Sequence, residues 1–192
     1  MKLLIFGPQL SGKGTQAANI AKEYSLAHIT TGGIIREMYA SGDQKMRELL
    51  EPCVTKGILL GDESMNPIVQ QYLDSIKTGF ILDGYPRTIE QMRFLDTYLS
   101  ERHVKIDAGI FLDVSHEELM RRLEYRIKTE SRADDHPEIL RKRIEEYERK
   151  TLPVIKEYEK TGILLDINGE QTREQVFAQI RNDLDKLAKR PA

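Results

Sequence analysis

Gly7-Pro8-Gln9-Leu10-Ser11-Gly12-Lys13-Gly14-Thr15 sits directly after the apolar run Lys2-Leu3-Leu4-Ile5-Phe6 and directly before a helical pattern. In that setting the backbone N–H groups of a glycine-rich turn and of a helix N-terminus converge on one concavity, and a lysine adds a mobile full charge. The segment therefore suits a polyphosphate, with Lys13 at its β and γ groups. The general pattern G-x-x-x-x-G-K-[S/T] fails by one position, because Gly14 stands where Ser or Thr is expected and Thr15 follows. Arg36, Arg87, Arg126, Arg132 and Arg143 lie on different segments, and a planar guanidinium offers paired donors to phosphate oxygens in a way an ammonium does not. Asp83 closes the apolar run Phe80-Ile81-Leu82, at the edge where the first strand would deliver the glycine-rich loop; it either assists there or caps a turn. His28, His103, His116 and His136 are scattered and read as structural, and no Ser, His and Asp grouping recommends itself. The chemistry these residues suit is positioning and charge neutralisation.

The elements that must hold them alternate. Strands are expected at Lys2 to Phe6, Ala27 to Thr30, Phe80 to Leu82, Ala108 to Val114 and Ile163 to Ile167. Between them come helices at Gly12 to Tyr24, two or three over Gly32 to Ile76, Thr88 to Ser100, Ser115 to Lys128, about Pro137 to Tyr158, and Thr172 to Leu187. Such alternation predicts an α/β fold, a five-stranded parallel sheet joined by right-handed crossovers. The long helix carries Leu140, Ile144, Tyr147, Leu152, Ile155 and Tyr158 as an apolar stripe facing the sheet. A capping box of Asp135 and Glu138 starts it, and Pro153 is expected to kink it.

Composition narrows the rest. The 192 residues predict one domain, and 29 Lys plus Arg against 31 Asp plus Glu give a net charge of −2, so an anion site has to be local and nucleic acid is not an expected partner. The lone Cys53 cannot form an internal disulfide; it reads as a small buried apolar residue in a reducing compartment. No apolar run approaches the ~20 residues of a membrane span. The strand-like start at Lys2 leaves no room for a leader, so a cytoplasmic protein with no membrane partner is expected.

The Gly12-Lys13-Gly14-Thr15 ending after a strand resembles the nucleoside monophosphate kinases, the adenylate kinase family in particular. Thr31-Gly32-Gly33-Ile34-Ile35-Arg36 and Asp83-Gly84-Tyr85-Pro86-Arg87 with Gln91 resemble that family's two monophosphate-binding segments. Arg132-Ala133-Asp134-Asp135 with Arg143 resembles its lid arginines. The similarity runs from Leu3 to the last helix. It implies a P-loop NTPase-type three-layer fold, the sheet having helices on both faces. The chain would be one kinase domain: a core of 1–29, 61–125 and 137–192, a monophosphate-binding insertion at about 30–60 and a short lid at about 126–136, which with the first insertion closes over the nucleotides. The implied activity is reversible magnesium-dependent transfer of the terminal phosphoryl group of ATP to AMP, giving two ADP, with other nucleoside triphosphates left open as donors by Gln9 and Leu10.

By the same resemblance Lys13, Asp83, Arg87, Arg126, Arg132 and Arg143 carry catalysis, and Asp83 helps hold Mg²⁺ through water. Leu10, Ser11, Gly12, Lys13, Gly14, Thr15, Arg122, Arg126 and Gln171 would hold ATP. Thr31, Arg36, Ile58, Leu59, Leu60, Gly84, Tyr85, Pro86, Arg87, Gln91, Arg132 and Arg143 would hold AMP. Four of these carry a second reading: Arg122, whose neighbour Arg121 shows how a charged helix face imitates a site, and Ile58, Leu59 and Leu60 as ordinary core. Asp134 and Asp135 either pair with lid arginines or cap the next helix. Thr31 and Gln91 favour AMP over pyrimidine monophosphates, since a Gln amide donates and accepts on an adenine edge at once. The acceptor phosphate is already anionic, so no general base is needed. With five residues between Arg126 and Arg132 the lid is the short form, and no structural zinc is expected. A monomer is expected. A UMP/CMP kinase of the same fold and a nucleotide-binding module without transfer are the alternatives. The chain departs from the family at Gln9 and Leu10, where Pro and Gly are usual, and at Gly33, where Asp is usual. If the family glycine has positive φ, Leu10 costs about 1–2 kcal/mol or reshapes the loop.

Overall fold

The computed structural model describes residues 1–129 and 137–188. Its five strands are β1 (Lys2–Phe6), β2 (Ala27–Thr30), β3 (Phe80–Asp83), β4 (Ala108–Asp113) and β5 (Leu164–Asn168). They form one parallel sheet in the order β2-β3-β1-β4-β5. Each lies within a residue of its expected bounds. The helices are α1 (Lys13–Glu23), α2 (Thr31–Ser41), α3 (Gln44–Thr55), α4 (Asp62–Ser75), α5 (Ile89–Ser100), α6 (His116–Thr129), α7 (Pro137–Glu146), α8 (Leu152–Lys160) and α9 (Arg173–Ala188).

The near-continuous apolar strands are buried on both faces, as a parallel sheet requires. Leu3, Ile5, Ile81 and Ile110 pack with Ala17 and Ile20 of α1 and Val176, Ile180 and Leu184 of α9. Leu4, Phe6 and Leu82 pack the other way, against Val69 of α4, Leu95 of α5 and Val154 and Tyr158 of α8. The chain is thus three-layered. β1 lies inside the sheet, and its neighbours β3 and β4 continue into opposite halves of the molecule, so the loop after β1 opens at the crevice where strand order reverses. Pairing of Ile5 with Asp83 sets that carboxylate beside the loop.

The long helix differs from its expected form. It is α-helical over Pro137–Glu146, π-helical over Tyr147–Thr151 and α-helical again from Leu152. Pro153 has no N–H to give and its ring opposes the carbonyl four residues back; the chain answers with a widened turn ahead of the proline. The apolar stripe is split accordingly. Ile144 packs with Val114 and Leu119, whereas Val154, Ile155 and Tyr158 join the sheet core. Asp135, and with it the expected capping box, lies outside the described residues. Among the described residues no helix is long and apolar enough to cross a membrane.

Truncating Ile110, fully buried on an interior strand, is expected to destabilise by about 2–5 kcal/mol. Urea denaturation of Ile110→Ala measures this, and a loss below about 1 kcal/mol contradicts the packing described.

Candidate active site

The loop Gly7 to Gly12 has positive φ at Gly7, Leu10 and Gly12. Leu10 has φ +72°, a left-handed conformation carried by a branched side chain, which costs about 1–2 kcal/mol. Its side chain is not idle, however: it packs on the Val114, Leu119 and Ile144 cluster formed by the end of β4, α6 and α7. The same stretch is held by Arg122. One guanidinium nitrogen donates to the carbonyls of Leu10 and Ser11 at 3.2 and 3.3 Å, the other to Gly169 O at 2.7 Å, while Nε meets Glu118 at 2.7 Å. Arg121, one residue earlier, merely pairs with Glu118 at the surface. The sequence neighbours therefore differ: Arg122 anchors the phosphate-loop backbone, and Arg121 does not.

Lys13 opens α1 and donates from Nζ to Pro8 O at 3.3 Å. Burial, assisted by the nearby positive charges of Arg87 and Arg143 and opposed by Asp83, lowers its pKa to about 8. Burial also pulls the Arg87 guanidinium down, with Asp83 opposing and Arg143 adding to the effect. Asp83 is 7% exposed. Its burial disfavours the charge, but His28, Lys13 and Arg87 outweigh that and hold the carboxyl below its ordinary range. Its Oδ2 lies 3.5 Å from where a Cβ on Gly14 would stand, so it faces the start of α1.

Two clefts meet here. The larger, about 740 Å³, is lined by Thr31, Arg36, Ile58, Leu59, Leu60, Gly84, Arg87, Gln91 and Arg143, with half-buried Cys53, expected as a core residue, in its wall. The smaller, about 490 Å³, is lined by Gly7, Gln9, Lys13, Gly84, Pro86, Arg87, Arg143 and Thr151 among others. Arg87 and Arg143 border both. Two glycines make the junction possible. A Cβ on Gly84, at φ +81°, would fall 2.6 Å from Arg87 Nη2 and 2.7 Å from Thr31 Oγ1; one on Gly57, at φ +68°, would fall 2.9 Å from Arg143 Cγ.

Thr31, Arg87 and Gln91 of the larger cleft have partners within the protein. Thr31 Oγ1 donates to Gly84 O at 2.8 Å, and Arg87 Nε donates to the same carbonyl at 2.7 Å. Gln91 Oε1 accepts from Arg87 N at 2.8 Å and Nε2 donates to Asp62 at 2.8 Å. Tyr85 turns inward: its ring is 1% exposed and its hydroxyl donates to Asn66 at 2.7 Å. Gln171 lies in the β5–α9 connection, with Nε2 donating to Gln179 at 3.1 Å. Arg126 stands on the last turn of α6. Arg132, Asp134 and Asp135 lie outside the described residues.

Three residues escaped the sequence reading. His28, taken as structural, has Nε2 3.7 Å from Asp83 Oδ2; its pairing with Ile81 puts it on Asp83's side of the sheet, a signal available only once strand register is known. Asp62 accepts from both Gln91 and Thr88. Thr151, in the π-helical turn, donates to Arg87 O at 3.2 Å. No cluster of three His, Cys, Asp or Glu able to hold a metal occurs among the described residues.

Comparison with known proteins shows the family. Residues 5–163 match the family described as adenylate kinase. An adenylate kinase of Petrotoga mobilis is 35% identical over 216 residues, covering 98% of this chain and all of the relative. One of Caldanaerobacter subterraneus is 37% identical over 213 residues, covering 96% of each. One of Xanthomonas campestris is 38% identical over 191 residues, covering 97% of this chain and all of the relative.

Leu10→Ala keeps the left-handed strain and discards the packing, and is expected to lose about 1–2 kcal/mol. Leu10→Gly discards both, so it should be the more stable of the two by about 1 kcal/mol. Thermal melts decide; an alanine variant more stable than the glycine variant contradicts the left-handed conformation.

Proposed function

We propose that this chain, which belongs to the adenylate kinase family, seats its two nucleotides end to end across the pair of clefts that share Arg87 and Arg143. The reaction is reversible transfer of the terminal phosphoryl group of ATP to AMP, giving two ADP. The shared cations are the observation that carries the seating. A loose phosphoryl-transfer transition state spreads charge over its oxygens, so catalysis consists largely of aligning the reactants and neutralising that charge. The phosphate loop and Lys13 hold the ATP polyphosphate, with Arg122 fixing the loop behind it. Arg87 and Arg143 bridge the two phosphate chains, Arg36 takes the AMP phosphate, and Arg126 with Arg132 serves the transferring group.

The acceptor base lies against Thr31, Leu60 and Gln91, which line the larger cleft and not the smaller one that Lys13 lines, and against Leu59, which borders both. Residues 30–60 form the monophosphate-binding insertion: α2 and α3 lie between β2 and α4, and their exit loop reaches Arg143 at Gly57. Closure of that insertion and of a short lid around 126–136 keeps water from taking the phosphoryl group. Cytoplasmic action is the reading the lone thiol Cys53 supports.

A magnesium ion carried with ATP fits the donor chemistry here. Asp83 presents ionised oxygen, the ligand type Mg²⁺ takes, toward the phosphate loop at Gly14. Asp83 would hold the ion through its water shell, and the ion would supply charge neutralisation on the phosphate oxygens. Every other task rests on the chain's own cations.

Assay of ADP formation from ATP, AMP and magnesium tests the reaction. Lys13→Met is expected to lower kcat by about 10²–10³-fold or more; a variant retaining wild-type kcat removes Lys13 from the mechanism. Lys13 also predicts a pH dependence. Its pKa of about 8 is below its ordinary value, so the free protein is uncharged there above pH 8, and polyphosphate binding draws a proton back in. ATP affinity should therefore fall as pH rises from 7 to 9, approaching about tenfold per unit above 8. Without nucleotide the same group makes stability rise with pH between about 8 and 10.5, because the unfolded chain holds the extra proton. Calorimetric titration of ATP at several pH values checks the first sign, and a flat profile contradicts it.

A further inference from the structure

The amide of Gln91 is locked in one orientation by its neighbours. A primary amide ordinarily has an ambiguous sense, since its oxygen and nitrogen occupy similar volumes. Here chemistry settles it. The backbone N–H of Arg87 can only donate, and it points at one amide atom at 2.8 Å, which must be oxygen. The carboxylate of Asp62 accepts, and it meets the other amide atom at 2.8 Å, which must be nitrogen. A reversed amide would set N–H against N–H and oxygen against oxygen. Asp62 is itself fixed: it begins α4, and its second oxygen accepts from Thr88 Oγ1 at 2.9 Å, the hydroxyl that caps α5 by accepting from Gln91 N.

Two valences of Gln91 remain, one N–H on Nε2 and one lone pair on Oε1, and the residue lines the larger cleft. We propose that Asp62 is a specificity-determining positioning residue, which with the Arg87 N–H fixes the sense of the Gln91 amide and so makes the acceptor site select a 6-aminopurine and reject a 6-oxopurine. The proposal rests on the reading that the acceptor base occupies this cleft. Adenine offers an acceptor at N1 and a donor at its 6-amino group, complementary to one free N–H and one free lone pair. Hypoxanthine offers N1–H and O6, the reverse at both positions, so a fixed amide meets it donor to donor and acceptor to acceptor. A freely turning amide would accept either base. Selection thus comes from a repulsion built two side chains away from the ligand as well as from the attraction.

The wild-type protein provides the first test, through kcat/KM for AMP, for IMP, and for purine riboside 5′-monophosphate, which keeps N1 and has no 6-substituent. A fixed amide predicts the order AMP, purine ribotide, IMP, with AMP over IMP by about 10²-fold or more. IMP used better than the purine ribotide overturns the proposal, since only an amide free to reverse would profit from O6. The second test is Asp62→Asn. Its carboxamide can face Gln91 with either atom, so the AMP to IMP ratio should narrow by about five- to tenfold, the worth of one hydrogen bond, with KM for ATP unchanged and Asp62→Glu nearer to wild type. A folded Asp62→Asn variant with an unaltered ratio overturns the proposal. If that variant does not fold, the wild-type substrate order decides alone. Gln91→Ala separates the two readings: a raised KM for AMP places the base at Gln91, so that an unaltered Asp62→Asn ratio then rejects only the locking, whereas an unchanged KM for AMP rejects the base position and the locking together.

Discussion

Lys13, Arg87 and Arg143 are held within electrostatic reach of one another around one buried carboxylate, Asp83. Cations set this close repel, and burial strips them of the water that would soften the repulsion. The lowered pKa of Lys13 and the downward pull on Arg87 express that tension. Phosphate oxygens would relieve it, so the crevice is electrostatically incomplete until an anion arrives. The parallel sheet makes the arrangement durable, because β1 and β3 are interior strands whose pairing fixes the phosphate loop beside Asp83 before any ligand binds.

The loop itself carries a local strain. Leu10 occupies a left-handed position, a conformation that suits glycine better than leucine. The strain is offset from two sides: the leucine side chain gains an apolar seat on Val114, Leu119 and Ile144, and Arg122 ties the carbonyls of Leu10 and Ser11 to α6. A residue that is awkward for the backbone has become a fastening between the phosphate loop and the helix that carries Arg126.

Elements and motifs were legible in the sequence because both are local. Short apolar runs marked every strand within a residue, and the glycine, lysine and arginine motifs named Lys13, Asp83, Arg87 and Arg143, whose charges act on one another in the structure. Partnerships between distant segments were not legible. His28 reads as a scattered histidine until β2 is known to pair with β3 in a register that sets it near Asp83. Asp62 and Gln91 stand 29 positions apart and Thr151 and Arg87 64 apart, distances over which composition and periodicity carry no information. Pro153 signalled a disturbance in the long helix but not its form, since a kink and a widened turn both answer the missing N–H.

That widened turn has a consequence for the helix as a whole. Each residue advances an α-helix by ~100°, so the surplus residue over Tyr147–Thr151 turns α8 out of phase with α7. A single rod thereby presents different flanks to different neighbours. Its first half leans on α6 and the phosphate loop through Ile144 and brings Arg143 to both clefts. Its second half seats Val154, Ile155 and Tyr158 on the sheet. The irregular turn acts as a phase adapter, and Thr151, at the seam, grips the backbone of Arg87; the joint that lets one helix serve two surfaces is also stitched to the cation both nucleotides would share.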